Sequence, residues 1–139
     1  MNAEIFVPMF YMVLLTFTVS LVGTIVRFKN VLIDKKHTGI EMMKFSPPSS
    51  ASVIIKQADR NLTNLFEFPI IFYVLSVFCF IQGIQDQLLM TLSWSYIVLR
   101  TVHSYLHIFV TSTALRGPVF VLSNLVLFVM LLGMLRTMH

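Results

Sequence analysis

Residues 58–80 read ADRNLTNLFEFPIIFYVLSVFCF. The stretch passes from charged and polar side chains into hydrocarbon with no turn signal between them. Its apolar part, Phe68 to Ile81, makes roughly 21 Å of helix, short of the about 30 Å that a bilayer core requires. The helix must therefore begin earlier, so the turns from Arg60 to Glu67 enter the headgroup region or the membrane itself. Arg60, Asn64 and Glu67 are spaced i, i+4, i+7 and fall on one face of that helix. Pro69 lacks an N–H and is expected to kink the helix near the interface.

The rest of the chain supports a membrane reading. Of 139 residues, 57% are hydrophobic and only 12% are charged, a balance that few water-soluble domains show. Ile5 to Val26 carries no charge; about 22 residues make roughly 33 Å of helix, enough to cross a bilayer. Glu4 stands where a cleavable signal peptide would be basic, and the apolar run is longer than an h-region, so no such peptide is read. Leu88 to Val110 and Val119 to Leu135 are two further runs. The short connections at 82–87 and 111–118 make neighbouring helices antiparallel. The expected fold is all-α: one domain over 1–139, an integral membrane four-helix bundle with helices at about 5–29, 53–82, 87–111 and 117–137. A loop at about 30–52 contains SPPSS at 46–50, where two prolines forbid helix.

Basic residues set the expected orientation. Arg27, Lys29, Lys35, Lys36, Lys44, Lys56 and Arg60 lie between runs one and two, and Arg116 lies between runs three and four. The 82–87 connection has none, so both basic loops are expected in the cytoplasm and both termini on the far side. Topology accounts for these cations, and nothing supports nucleic-acid binding. Cys79, the single cysteine, lies inside an apolar run and reads as a small hydrophobe.

Run three repeats the pattern of run two. Tyr96, Arg100, His103 and His107 share one helical face, and Arg100 lies about 18 Å from Leu88, still at membrane depth. An arginine there costs at least ~2.5 kcal/mol, so it should face protein or water. The polar ends of runs two and three meet on the basic side, with Arg27 and Arg116 nearby. Arginine forks suit carboxylates, and a glutamate among them can pair with an arginine or take a ligand ammonium. A small zwitterion with excess negative charge, such as glutathione, satisfies all of these groups, and a thiol beside an arginine is held as the nucleophilic thiolate. The plainer alternative is a polar network in which Glu67 pairs with Arg60 or Arg100 and only stabilises the bundle. His103 and His107 have metal-ligand spacing but no third ligand, so no metal is expected. Asn124 reads as a helix–helix hydrogen bonder.

RNLTNLFEFP, with Arg60, Asn64, Glu67 and Pro69, resembles the signature of the MAPEG family, the membrane-associated proteins in eicosanoid and glutathione metabolism. LRTVHSYLH followed by Arg116 is similar to that family's third-helix pattern. Its spacing is nearest the microsomal prostaglandin E synthase and microsomal glutathione transferase branch. The resemblance implies homotrimers with glutathione bound between subunits on the cytoplasmic side. Arg60, Asn64 and Glu67 would hold the peptide, Arg100, His103 and His107 would line the cleft, and Arg27 would reach in from the neighbouring subunit. Arg116 would stabilise the thiolate for attack on a lipophilic electrophile arriving from the bilayer, in a transferase or peroxidase reaction. His107 departs from the pattern, standing where a tyrosine is usual, and the first loop is long. Two other functions stay open: a non-catalytic lipid-binding or scaffold member of the same family, and a small transporter or proton relay using Glu67 and His103.

Overall fold

A computed structural model describes residue 4 and residues 6–33, 40, 50–110 and 112–137. The lysines at 35, 36 and 44 and the prolines at 47 and 48 lie outside the described residues. The described chain is all-helical, in four rods: α1 (Phe6–Phe28), a second rod made of α2 (Val53–Leu65) and α3 (Phe68–Ile81), α4 (Gln87–Phe109) and α5 (Thr113–Thr137). A π-helical turn, Lys29–Ile33, continues α1. Three rods are long and apolar enough to cross a membrane by themselves: Phe6–Ile33, Val53–Ile81 and Thr113–Thr137. α4 is long enough, at 23 residues, but carries Arg100, His103, Ser104 and His107. It is accommodated by burying every one of them against the other rods.

The packing is that of a protein whose solvent is lipid. On α1 the residues turned inward are Pro8, Met12, Val19 and Gly23, a single stripe at helical spacing. The opposite face exposes Phe10, Leu14, Phe17, Leu21 and Ile25, with Phe17 69% exposed. In water such a continuous apolar face would be a large penalty at about 25 cal/mol per Å², whereas hydrocarbon accepts it. α4 sits at the centre. It makes its most extensive contact with α5 and further contacts with α1 and α2. Its buried stripe runs from Leu89 through Ser93, Tyr96 and Arg100 to His107.

The second rod is two helices rather than one kinked helix. α2 stops at Leu65, the backbone bonds tighten to Phe66 N–H···O=C Thr63 and Glu67 N–H···O=C Asn64, and α3 restarts at Phe68. Pro69 has no N–H to give the Leu65 carbonyl, so the ladder is interrupted there. Glu67, at φ −97° and ψ −95°, turns the chain between the two segments. Proline falls within the first turn of α3, where its missing donor is harmless.

α1 runs antiparallel to this broken rod and touches it at both ends. Phe6 lies on Phe80 with ring centroids 4.4 Å apart. Near the other end, Gly23 lets α1 approach so closely that a Cβ there would lie 3.5 Å from the Ala58 Cβ. Between these contacts the rods separate around a slot of about 500 Å³, lined by Met9, Val13, Phe17, Leu62, Phe66 and Tyr73 among others.

Candidate functional site

α2, the last turns of α4 and the first turns of α5 converge at one end of the bundle, and with the end of α1 they bring the charged residues together. Arg100 is the deepest. Its side chain is fully buried; Nε donates to the Tyr96 hydroxyl at 3.1 Å and Nη2 donates to Asn124 Oδ1 at 2.7 Å. Three rings surround the guanidinium, with the Phe120, Tyr96 and Phe68 centroids at 5.0, 5.3 and 5.9 Å. These are cation–π distances, and they replace part of the hydration that burial removes. Asn124 thus ties α5 to α4 through a charge. Arg100 is a packed element of the bundle, and among the described residues only its Nη1 remains without a partner.

One turn on, His103 Nδ1 lies 3.2 Å from the Arg116 carbonyl. A carbonyl only accepts, so Nδ1 carries the proton; when the ring is neutral, Nε2 presents a lone pair. Among the described residues that Nε2 is buried without a partner. The His107 ring lies 5.5 Å from the His103 ring, and among the described residues its Nδ1 is buried without a partner. Asn61 of α2 accepts from the Ser104 hydroxyl at 3.4 Å, and its Nδ2 is also buried without a partner. Among the described residues, four polar atoms on neighbouring turns of α2 and α4 are therefore buried without a hydrogen-bond partner, where buried polar groups are nearly always paired. Such a group of donors and acceptors suits a polar ligand or bound water.

Arg60, Asn64 and Glu67 sit differently. The face that α2 turns into its own bundle is Ile55, Ala58, Asn61 and Leu65. Arg60 and Glu67 are exposed and Asn64 is half-buried, and their side chains meet no hydrogen-bonding or ion-pairing partner among the described residues. Arg60 and Arg116 both lie within electrostatic reach of His107.

Arg116 belongs to the first turn of α5. The sequence places this helix from about 117, after the Gly117–Pro118 pair, but it begins at Thr113 and carries Pro118 inside it. The proline forgoes the backbone bond to Ala114 that its position would otherwise make. An arginine in a first helical turn adds its charge to the positive end of the helix dipole, an arrangement unfavourable for stability and favourable for an anion.

Arg27 ends α1 and is not free. Its Nη2 bonds Asp59 Oδ1 of α2 at 2.5 Å, joining α1 to α2 just beyond the Gly23–Ala58 contact. Asp59 is the functional candidate that spacing arguments pass over. It lies one residue before Arg60 and so on another face of α2. The available signal is a cation in the last turn of α1 and the single acid of α2, the segment antiparallel to it.

Fold and site together define a polytopic helical membrane protein with a polar, partly unsatisfied cluster at one end of its spans. The sequence matches the MAPEG family profile over residues 5–136, and the chain belongs to that family. No curated protein and no solved structure matches it.

Proposed function

We propose that the protein is a glutathione-dependent transferase or peroxidase of the prostaglandin E synthase and glutathione transferase type, acting on a lipophilic electrophile. The observation that carries this reading is the outward polar face of α2, Arg60, Asn64 and Glu67, on the same helix whose inward face adds Asn61 to the buried polar cluster of Arg100, His103 and His107. Charges facing hydrocarbon are expensive, so that face has to be covered by a neighbouring subunit, by a polar ligand, or by both. A homotrimer with glutathione in the cleft between subunits supplies both covers at once.

In this arrangement Arg60, Asn64 and Glu67 of one subunit hold the tripeptide, and Arg27 approaches from its neighbour. Arg100, His103 and His107 form the wall, which offers Nη1 as a donor and His103 Nε2 as an acceptor. Arg116 and the N-terminal end of α5 together favour the ionised thiol, because both place positive potential at one point. The thiolate attacks an electrophile from the bilayer, and the open apolar slot between α1 and α3 offers room of the size small-molecule sites have. By the positive-inside rule this end faces the cytoplasm and both termini face away.

The test is thiolate absorbance on adding glutathione to the purified protein, with Arg116→Ala in parallel. The wild type should show a saturable thiolate signal, and the variant should bind glutathione without it. Binding with no thiolate signal in the wild type would point to the non-catalytic reading instead.

A further inference from the structure

The Arg27–Asp59 contact is incomplete in an informative way. An arginine facing a carboxylate usually engages it with two parallel bonds, which satisfies both oxygens. Here a single bond joins Nη2 to Oδ1. Among the described residues Arg27 Nε and Asp59 Oδ2 are left buried without a partner, a donor on one side and an acceptor on the other. The side chains themselves are 33% and 22% exposed, so the pair lies at the edge of the bundle. A carboxylate alone would answer Nε and repel Asp59. An ammonium alone would answer Oδ2 and repel Arg27. A group carrying both on one carbon answers both, and that is an α-amino-acid end.

We propose that Arg27 and Asp59 act as one unit that recognises the α-amino-acid end of the ligand, with the carboxylate on Arg27 and the ammonium on Asp59. This rests on the reading that glutathione is the ligand, and it assigns its γ-glutamyl end. It moves the ammonium contact from Glu67 to Asp59. Glu67 is exposed and carries no geometric constraint on its carboxylate, whereas Asp59 is already oriented by a bond to the arginine that would take the adjoining carboxylate. The pair also fixes where this end of the ligand lies. Gly23, one turn before Arg27, and Ala58, next to Asp59, hold α1 and α2 close together, which keeps the two charged groups within reach of each other.

The experiment is calorimetric titration of the full chain in lipid nanodiscs with glutathione and with N-acetylglutathione, which lacks the ammonium. The wild type should prefer glutathione by roughly tenfold or more, the usual worth of a charge-assisted hydrogen bond. Asp59→Asn should bind the two compounds alike. Glu67→Gln should weaken both and keep the preference. Arg27→Lys preserves the ion pair, and with it the packing of α1 on α2, while removing Nε; it should weaken both compounds and keep the preference. Preference retained in Asp59→Asn, preference lost in Glu67→Gln, or unchanged affinity in Arg27→Lys overturns the assignment. Equal binding of both compounds by the wild type leaves only a bridging water between the two atoms and also overturns it. A wild type that binds neither compound sinks the glutathione reading itself, a result distinct from binding that ignores Asp59.

Discussion

Removing the Asn124 carbonyl from the buried Arg100 guanidinium is the sharpest test of how the bundle is held together. Arg100 has no exposed surface, and its two side-chain acceptors are Tyr96 and Asn124. Asn124→Leu fills a similar volume and leaves Nη2 as bare as Nη1 already is. Hydrogen bonds between transmembrane helices average only about 0.6 kcal/mol, but bonds to a charged donor reach about 1.5–3 kcal/mol. The full burial of Arg100 places this bond in the upper range, a shift of roughly 10- to 150-fold in the unfolding equilibrium. Cys79 provides the assay. It is the only cysteine and 1% exposed, so a thiol-reactive dye reports its exposure during denaturation in detergent. The double variant Arg100→Leu/Asn124→Leu should be more stable than Asn124→Leu alone, because an apolar pair leaves no buried charge unpaired. A loss below about 0.5 kcal/mol in Asn124→Leu, or a double variant as unstable as the sum of its parts, would refute the reasoning.

Gly23 should tolerate alanine, since the added Cβ would meet Ala58 at an ordinary 3.5 Å, and the helix should gain up to about 0.5–1 kcal/mol; Gly23→Leu should instead part α1 from α2 and weaken the bundle. The same Cys79 dye-labelling assay reads both. Cysteines introduced at Gln85 and at Arg60 in a Cys79→Ser background should label from opposite sides of sealed vesicles, with Arg60 on the cytoplasmic side. Pro69→Ala restores a donor for the Leu65 carbonyl and should lengthen α2 toward α3, read as a changed distance between spin labels placed on the two segments.

The fold was legible because membrane helices announce themselves by length and charge. The four apolar runs, the all-helical class and the burial of polar residues on α4 follow from composition and 3.6-residue spacing alone. Spacing also put Arg60, Asn64 and Glu67 on a common face. It could not say that this face turns away from the chain's own core, because that depends on which side of α2 packs against α1 and α4. The complete break at Phe66–Glu67 was less accessible than a kink, since proline removes one bond whatever the turn then does. The start of α5 before Pro118 went against the local rule, and tertiary contact with α4 outweighs the lost bond. Asp59 was passed over because its partner, Arg27, is 32 positions away, and only the antiparallel register of α1 on α2 brings them together.

Equilibrium dialysis of labelled glutathione against the wild-type protein in nanodiscs tests the central claim most directly. The account predicts saturable binding at no more than one glutathione per chain, weakened by Arg60→Ala. No saturable binding at millimolar glutathione, or binding that Arg60→Ala leaves unchanged, would contradict it.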